Sequence, residues 1–116
     1  MTPGARMQAV IELLDAIQSG IEPTNRLIDA YFRKRRYAGS GDRRSIHATL
    51  YDVLRHRARL DWWIGRTGSS MEAEPRTRII AELALEIKSS PQETKAIFNG
   101  ATHCPAPLSD PEAELA

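Results

Sequence analysis

Apolar residues recur every three or four positions along most of the chain, the period of an amphipathic helix and not of a strand. Met7, Val10, Ile11, Leu14 and Ile17 share one face of a segment predicted to be helical over 3–19. Thr2 is its N-cap, Pro3 takes the first helical position, where a missing N–H costs nothing, and Gly20 stops it. Leu27, Ile28, Tyr31 and Phe32 line a second helix that begins near Pro23 or Thr24 and ends near Arg36. Ile46, Leu50, Val53 and Leu54 mark a third over about 42–57. A short fourth turns Leu60, Trp63 and Ile64 inward and Trp62 partly outward, with Gly65 and Gly68 ending it. Ile79, Ile80, Leu83, Ala84 and Ile87 form the apolar side of a helix over about 75–88. Ser90, Pro91 and Glu93 read as N-cap, first position and third position of a capping box that opens a last short helix, ending near Asn99 and Gly100.

Between these segments, residues 38–41 (Ala-Gly-Ser-Gly) form a turn and residues 68–74 a polar connector. From Ala101 the character changes. Pro105, Pro107 and Pro111 follow Cys104 closely, and proline both lacks a donor and disfavours helix just before it. The segment 101–116 reads as an extended linker, with Ser109 or Asp110, Pro111 and Glu112 carrying the signals of one more helix start. The expected fold is all-α: a compact bundle of about five to seven helices over 1–100, followed by the linker. A length of 116 residues is room for one domain.

Composition narrows the class. The single cysteine, Cys104, allows no intramolecular disulfide, which fits a reducing cytoplasm. No basic-then-apolar leader opens the chain, and no apolar run approaches the roughly 20 residues of a membrane span, so a soluble cytoplasmic domain with no membrane partner is expected. Net charge is only +1, but its placement is uneven. Between Arg33 and Arg59 nine Lys/Arg face only Asp42 and Asp52, so this stretch is +7 and the remainder −6. Such asymmetry creates a local positive field on a nearly neutral molecule.

Candidate chemistry is sparse. Cys104 adjoins His103, but the pair sits in a proline-rich tail with no third group to orient it. His47, His56 and His103 form no ligand pair at helical spacing. The glycine-rich turn before Asp42 lacks the P-loop pattern and reads first as a helix–helix turn that needs glycine for its backbone angles, although a helix start flanked by Arg43 and Arg44 also suits one phosphate. No G-x-G-x-x-G motif occurs, so an S-adenosylmethionine site of the α/β kind is not expected, nor catalysis by this chain. The basic segment remains: Arg33, Lys34, Arg35, Arg36, Arg43, Arg44 and Arg55 are the predicted RNA-binding residues. Arg55, Arg57 and Arg59 lie about 17–20 Å beyond Arg43 and Arg44 along a helix, a reach that suits several backbone phosphates. Tyr37 and Trp62 are candidates for base stacking. Cations in the last turn of the second helix also suit its dipole, and arginines also pair with acidic groups of a partner domain.

The stretch from Gly41 to Ile64 resembles a segment of the Sun/RsmB family of rRNA cytosine-C5 methyltransferases. The matching elements are Asp42-Arg43, Leu50-Tyr51, Val53-Leu54-Arg55 and Leu60-Asp61-Trp62. The opening run from Arg6 to Leu14 looks like the family's first helix, and the run from Tyr37 to Arg43 and the linker from Cys104 to Leu108 look like alphaproteobacterial members, so the resemblance covers about residues 3–108. It implies a NusB-like RNA-binding domain, joined by the linker to an S-adenosylmethionine-dependent catalytic domain that this chain does not contain. The whole protein would then methylate a cytosine of small-subunit rRNA. The family's catalytic cysteines lie in Pro-Cys and Thr-Cys motifs of that domain, which Cys104 does not match. The partners implied are rRNA and the catalytic domain. The other reading of such a bundle is a protein-interaction module or structural brace, as in NusB antitermination factors.

Overall fold

A computed structural model describes residues 1–66 and 71–116. Seven α-helices and no strand occur among them: α1 (Pro3–Ser19), α2 (Thr24–Arg33), α3 (Ser40–Arg55), α4 (Arg57–Arg66), α5 (Pro75–Glu82), α6 (Pro91–Ile97) and α7 (Asp110–Leu115). The all-α bundle expected from periodicity is the fold observed. No helix among the described residues is long and apolar enough to cross a membrane. Gly68, expected to help end the fourth helix and open the connector, lies outside the described residues, as do positions 67, 69 and 70.

Helix α1 is the axis around which the others pack, touching α2, α3, α5 and α6. Its sequence explains this. Ala5, Ala9 and Leu13 add a second apolar stripe to Val10, Ile11 and Leu14, and all six are buried. A helix apolar on more than one side must be covered on more than one side. The rest of the core comes from Ile46, Leu50 and Val53 of α3, Leu60 and Ile64 of α4, Ile79 and Ile80 of α5, and Phe98. Thr2 Oγ1 accepts from Ala5 N–H at 3.1 Å, as an N-cap does. Ser90 and Glu93 close their capping box reciprocally at 3.1 and 2.9 Å.

Two differences from the expected elements matter. Helix α2 ends at Arg33, three residues early, and the turn that follows buries Ala38. The helix after Pro75 changes to a π-helical turn over Leu83–Ile87 and stops with Lys88 in the left-handed region (φ 61°). A π turn shifts the register of the residues beyond it. Ile87, expected on the apolar side, is therefore half exposed.

Residues 101–109 carry no helix, and then the tail turns back as α7 against α5, burying Leu115. Ser109 caps α7, and Glu112 both completes the capping box and receives Arg76 Nε at 2.7 Å. The same guanidinium donates to the carbonyls of Ala106 and Pro107 at 2.8 and 3.0 Å, so Arg76 clamps the tail.

Two buried glutamates respond to pH with opposite signs. Burial pushes the Glu82 carboxyl above the ordinary glutamate value of 4.5, against the hydrogen bond with His56 Nδ1 at 3.0 Å. Such a group supports the fold while protonated and withdraws support as pH climbs from its ordinary value through the raised one. For Glu112 burial also pushes upward, but hydrogen bonds from Arg76 and from Ser109 outweigh it and hold the carboxyl low. Its support is complete above the ordinary value and is lost as pH falls. We therefore expect Glu82→Gln to gain stability relative to the parent as pH rises from about 4 to about 8, read by urea unfolding at each pH. A difference that stays constant across that range would contradict the assignment.

Candidate nucleic-acid interface

Helices α2 and α3 diverge from the turn at 34–39 and leave between them a groove of about 660 Å³. Ile28 and Phe32 of α2, both nearly buried, form its floor. Arg33 and Arg36 line it from the α2 side and Arg43 and His47 from α3. Asp29 is the one carboxylate on the lining. The local reasons are simple. Arg43 and His47 are four residues apart and so share one face of α3. Phe32 points into the core, so its neighbour Arg33 must point out.

The cations of this groove differ in what holds them. Arg43 is oriented: its Nε donates to the Ala38 carbonyl at 3.2 Å and its guanidinium lies 5.5 Å from the centre of the Phe32 ring. That distance is within cation–π range, and Arg43 lines the groove. Arg33 and Arg36 are exposed and have no ion pair or side-chain hydrogen bond among the described residues. A cluster of like charges with so little internal compensation raises the local positive potential and favours a polyanion. His47 packs against Tyr51 with ring centres 4.6 Å apart.

The seven residues predicted from charge placement thus divide. Arg33, Arg36 and Arg43 converge on the groove, and Arg44 is exposed one position along α3 with no partner among the described residues. Lys34 is exposed and likewise unpaired, but does not line the groove. Arg35 turns elsewhere: it lies 3.7 Å over the Tyr31 ring, donates to the Tyr31 carbonyl at 3.3 Å and approaches Glu12 at 3.8 Å. Arg55 pairs with Asp52 at 3.5 Å on the surface of α3. Arg57 and Arg59 beyond it face Asp61 and Glu86 at 3.9 and 3.0 Å, so the far end of the basic stretch is largely neutralised within the fold. Phe32, Asp29 and His47 escaped the charge-based reading. The spacing of His47 from Arg43 was the available signal for the last.

The helix start at Ser40 is not an open anion site. The Asp42 carboxylate accepts the Gly39 N–H at 3.2 Å and also meets Arg6 at 3.2 Å and the N-terminal ammonium at 3.4 Å. Desolvation pushes this carboxyl up, but those three partners prevail and hold it below the usual range, so it stays an anion. A phosphate there would meet that charge. Trp62 is exposed beneath Arg66, whose guanidinium lies 5.2 Å from the ring centre. Cys104 lies 3.5 Å from Thr2 Oγ1, with Gly4 close by, and no group of three or more metal-ligating side chains forms among the described residues.

The chain matches no protein-family model, no curated protein and no solved structure. The groove and the motif between Gly41 and Ile64 are what its functional reading rests on.

Proposed function

We propose that this chain is an RNA-binding domain that lays an RNA backbone along the α2–α3 groove. In this reading it is the accessory domain of an S-adenosylmethionine-dependent methyltransferase acting on C5 of a small-subunit rRNA cytosine. The observation that carries the RNA contact is the convergence of Arg33, Arg36 and Arg43 on one concave surface, with Arg33 and Arg36 lacking any internal acidic partner among the described residues. Guanidinium groups bind phosphate oxygens bidentately, and several on one groove can follow a backbone. The methyltransferase context comes from the resemblance at Asp42-Arg43, Val53-Leu54-Arg55 and Leu60-Asp61-Trp62. Chemistry would belong to the catalytic domain. An α/β site for S-adenosylmethionine needs a glycine-rich turn between a strand and a helix, and neither that motif nor a strand among the described residues is present here. The role of these residues is to hold and orient rRNA for that domain, a contribution by positioning and not by reaction.

Amide shift mapping tests the placement. A small-subunit rRNA hairpin titrated into isotope-labelled protein should perturb residues 29–36 and 43–47. Perturbations confined to α5, α6 and α7, or none at the highest RNA concentration, would remove the groove from the reading and favour a brace for a partner domain.

A further inference from the structure

A second pocket lies between α1 and the segment 31–37, and the backbone contacts just proposed do not use it. Its volume is about 310 Å³, at the small end of the range of about 300–1,000 Å³ for ligand sites. Ala5 and Ala9 give it an apolar floor, Gln8, Glu12 and Arg35 a polar wall, and the exposed rings of Tyr37 and His103 stand at its mouth.

Those two rings stack on each other. Their centres are 5.9 Å apart and their planes differ by 30°. Carbon atoms of stacked rings rest about 3.5 Å apart, so a third flat ring between two others needs about 7 Å. The two rings must therefore part to admit a third, and both residues sit on turns outside the helices, where such shifts are least costly. His103 also holds a positive φ of 65°, a conformation unfavourable for a residue with a side chain. The residue is exposed, so burial does not repay that strain; its visible consequence is the ring's place opposite Tyr37. Strain of this kind concentrates at ligand-holding positions.

The pocket also adjoins the groove. Arg36 lines the groove and Tyr37, the next residue, lines the pocket, so their Cα atoms are about 3.8 Å apart. A nucleotide whose phosphate meets Arg36 has its base within reach of Tyr37. Inside, the Glu12 carboxylate receives the Tyr31 hydroxyl at 3.2 Å and retains lone pairs for a base amino group.

We propose that this pocket takes one unpaired nucleobase, stacked between Tyr37 and His103, while the groove holds the adjoining phosphates. The proposal rests on the groove reading above and narrows its substrate class: the RNA bound has an unstacked nucleotide in a loop, bulge or single strand, not a continuous duplex.

The test is a single-stranded oligoribonucleotide carrying one 2-aminopurine, whose fluorescence is quenched on stacking. It is titrated into the intact chain and into Tyr37→Ala and His103→Gly, with circular dichroism as the check on folding. Glycine accepts the positive φ at position 103, so the second variant removes the ring without straining the turn. Quenching by the parent, together with about 5- to 150-fold weaker binding and lost quenching in both variants, is the expected result. Salt-dependent binding without quenching, unchanged in both variants, would overturn the pocket and leave the groove standing. No binding by the parent chain at low salt would overturn both.

Discussion

Asp61→Ala should cost the fold about 3 kcal/mol, although Asp61 is itself a third exposed. The reason lies in its partner. Arg78 is buried on α5 and donates to Asp61 at 2.8 and 3.5 Å and to Gln18 of α1 at 3.4 Å. Its guanidinium thus joins three helices at one point. Removing the carboxylate leaves a buried cation with one long hydrogen bond to an amide, and the desolvation already incurred is no longer offset. Replacing both partners together, Asp61→Leu with Arg78→Met, removes the charge as well and should recover most of the loss. Urea unfolding of the two variants beside the parent measures this. A single variant as stable as the parent would mean that water reaches Arg78 and that the junction is not closed.

Reversing the groove, Arg33→Glu with Arg36→Glu and Arg43→Glu, should weaken rRNA binding about 100-fold or more at moderate salt while leaving the helical content intact. All three side chains are exposed, and surface substitutions usually change stability by only about 0.5 kcal/mol, so the fold tolerates them. Arg43 alone has internal contacts to lose, with the Ala38 carbonyl and the Phe32 ring. The matched control is Arg55→Glu with Arg57→Glu and Arg59→Glu. It applies the same charge change at the end of the basic stretch where Asp52, Asp61 and Glu86 already compensate. Anisotropy titrations with one hairpin separate the two. Equal losses in both sets would point to a diffuse field in place of a groove.

Much of the fold could be read along the chain because its signals are local. Thr2 and Ser90 act as caps, and the apolar positions of α1 and α3 repeat at helical spacing regardless of what they pack against. Where packing decides, spacing failed. Ile87 belongs to the periodic stripe expected over 75–88, yet the π turn carries it outward. Arg33 to Arg36 are four equivalent cations in sequence, but the helix ends among them, and Arg35 lies over Tyr31 while Arg33 and Arg36 line the groove. The groove is a product of two helices meeting, so Phe32 and His47 could enter it only once both helices were placed. The Leu60-Asp61-Trp62 motif has a structural account for its first two members: Leu60 is core and Asp61 holds Arg78. Nothing in the fold requires the exposed Trp62.

The affinity of the chain for a small-subunit rRNA hairpin across a salt series, beside an unrelated hairpin, tests whether the groove binds RNA. Contacts from Arg33, Arg36, Arg43 and Arg44 predict a slope of log affinity against log salt of about −3, with tighter binding to the rRNA element. No binding to either hairpin at low salt would contradict the account and assign these arginines to a protein partner.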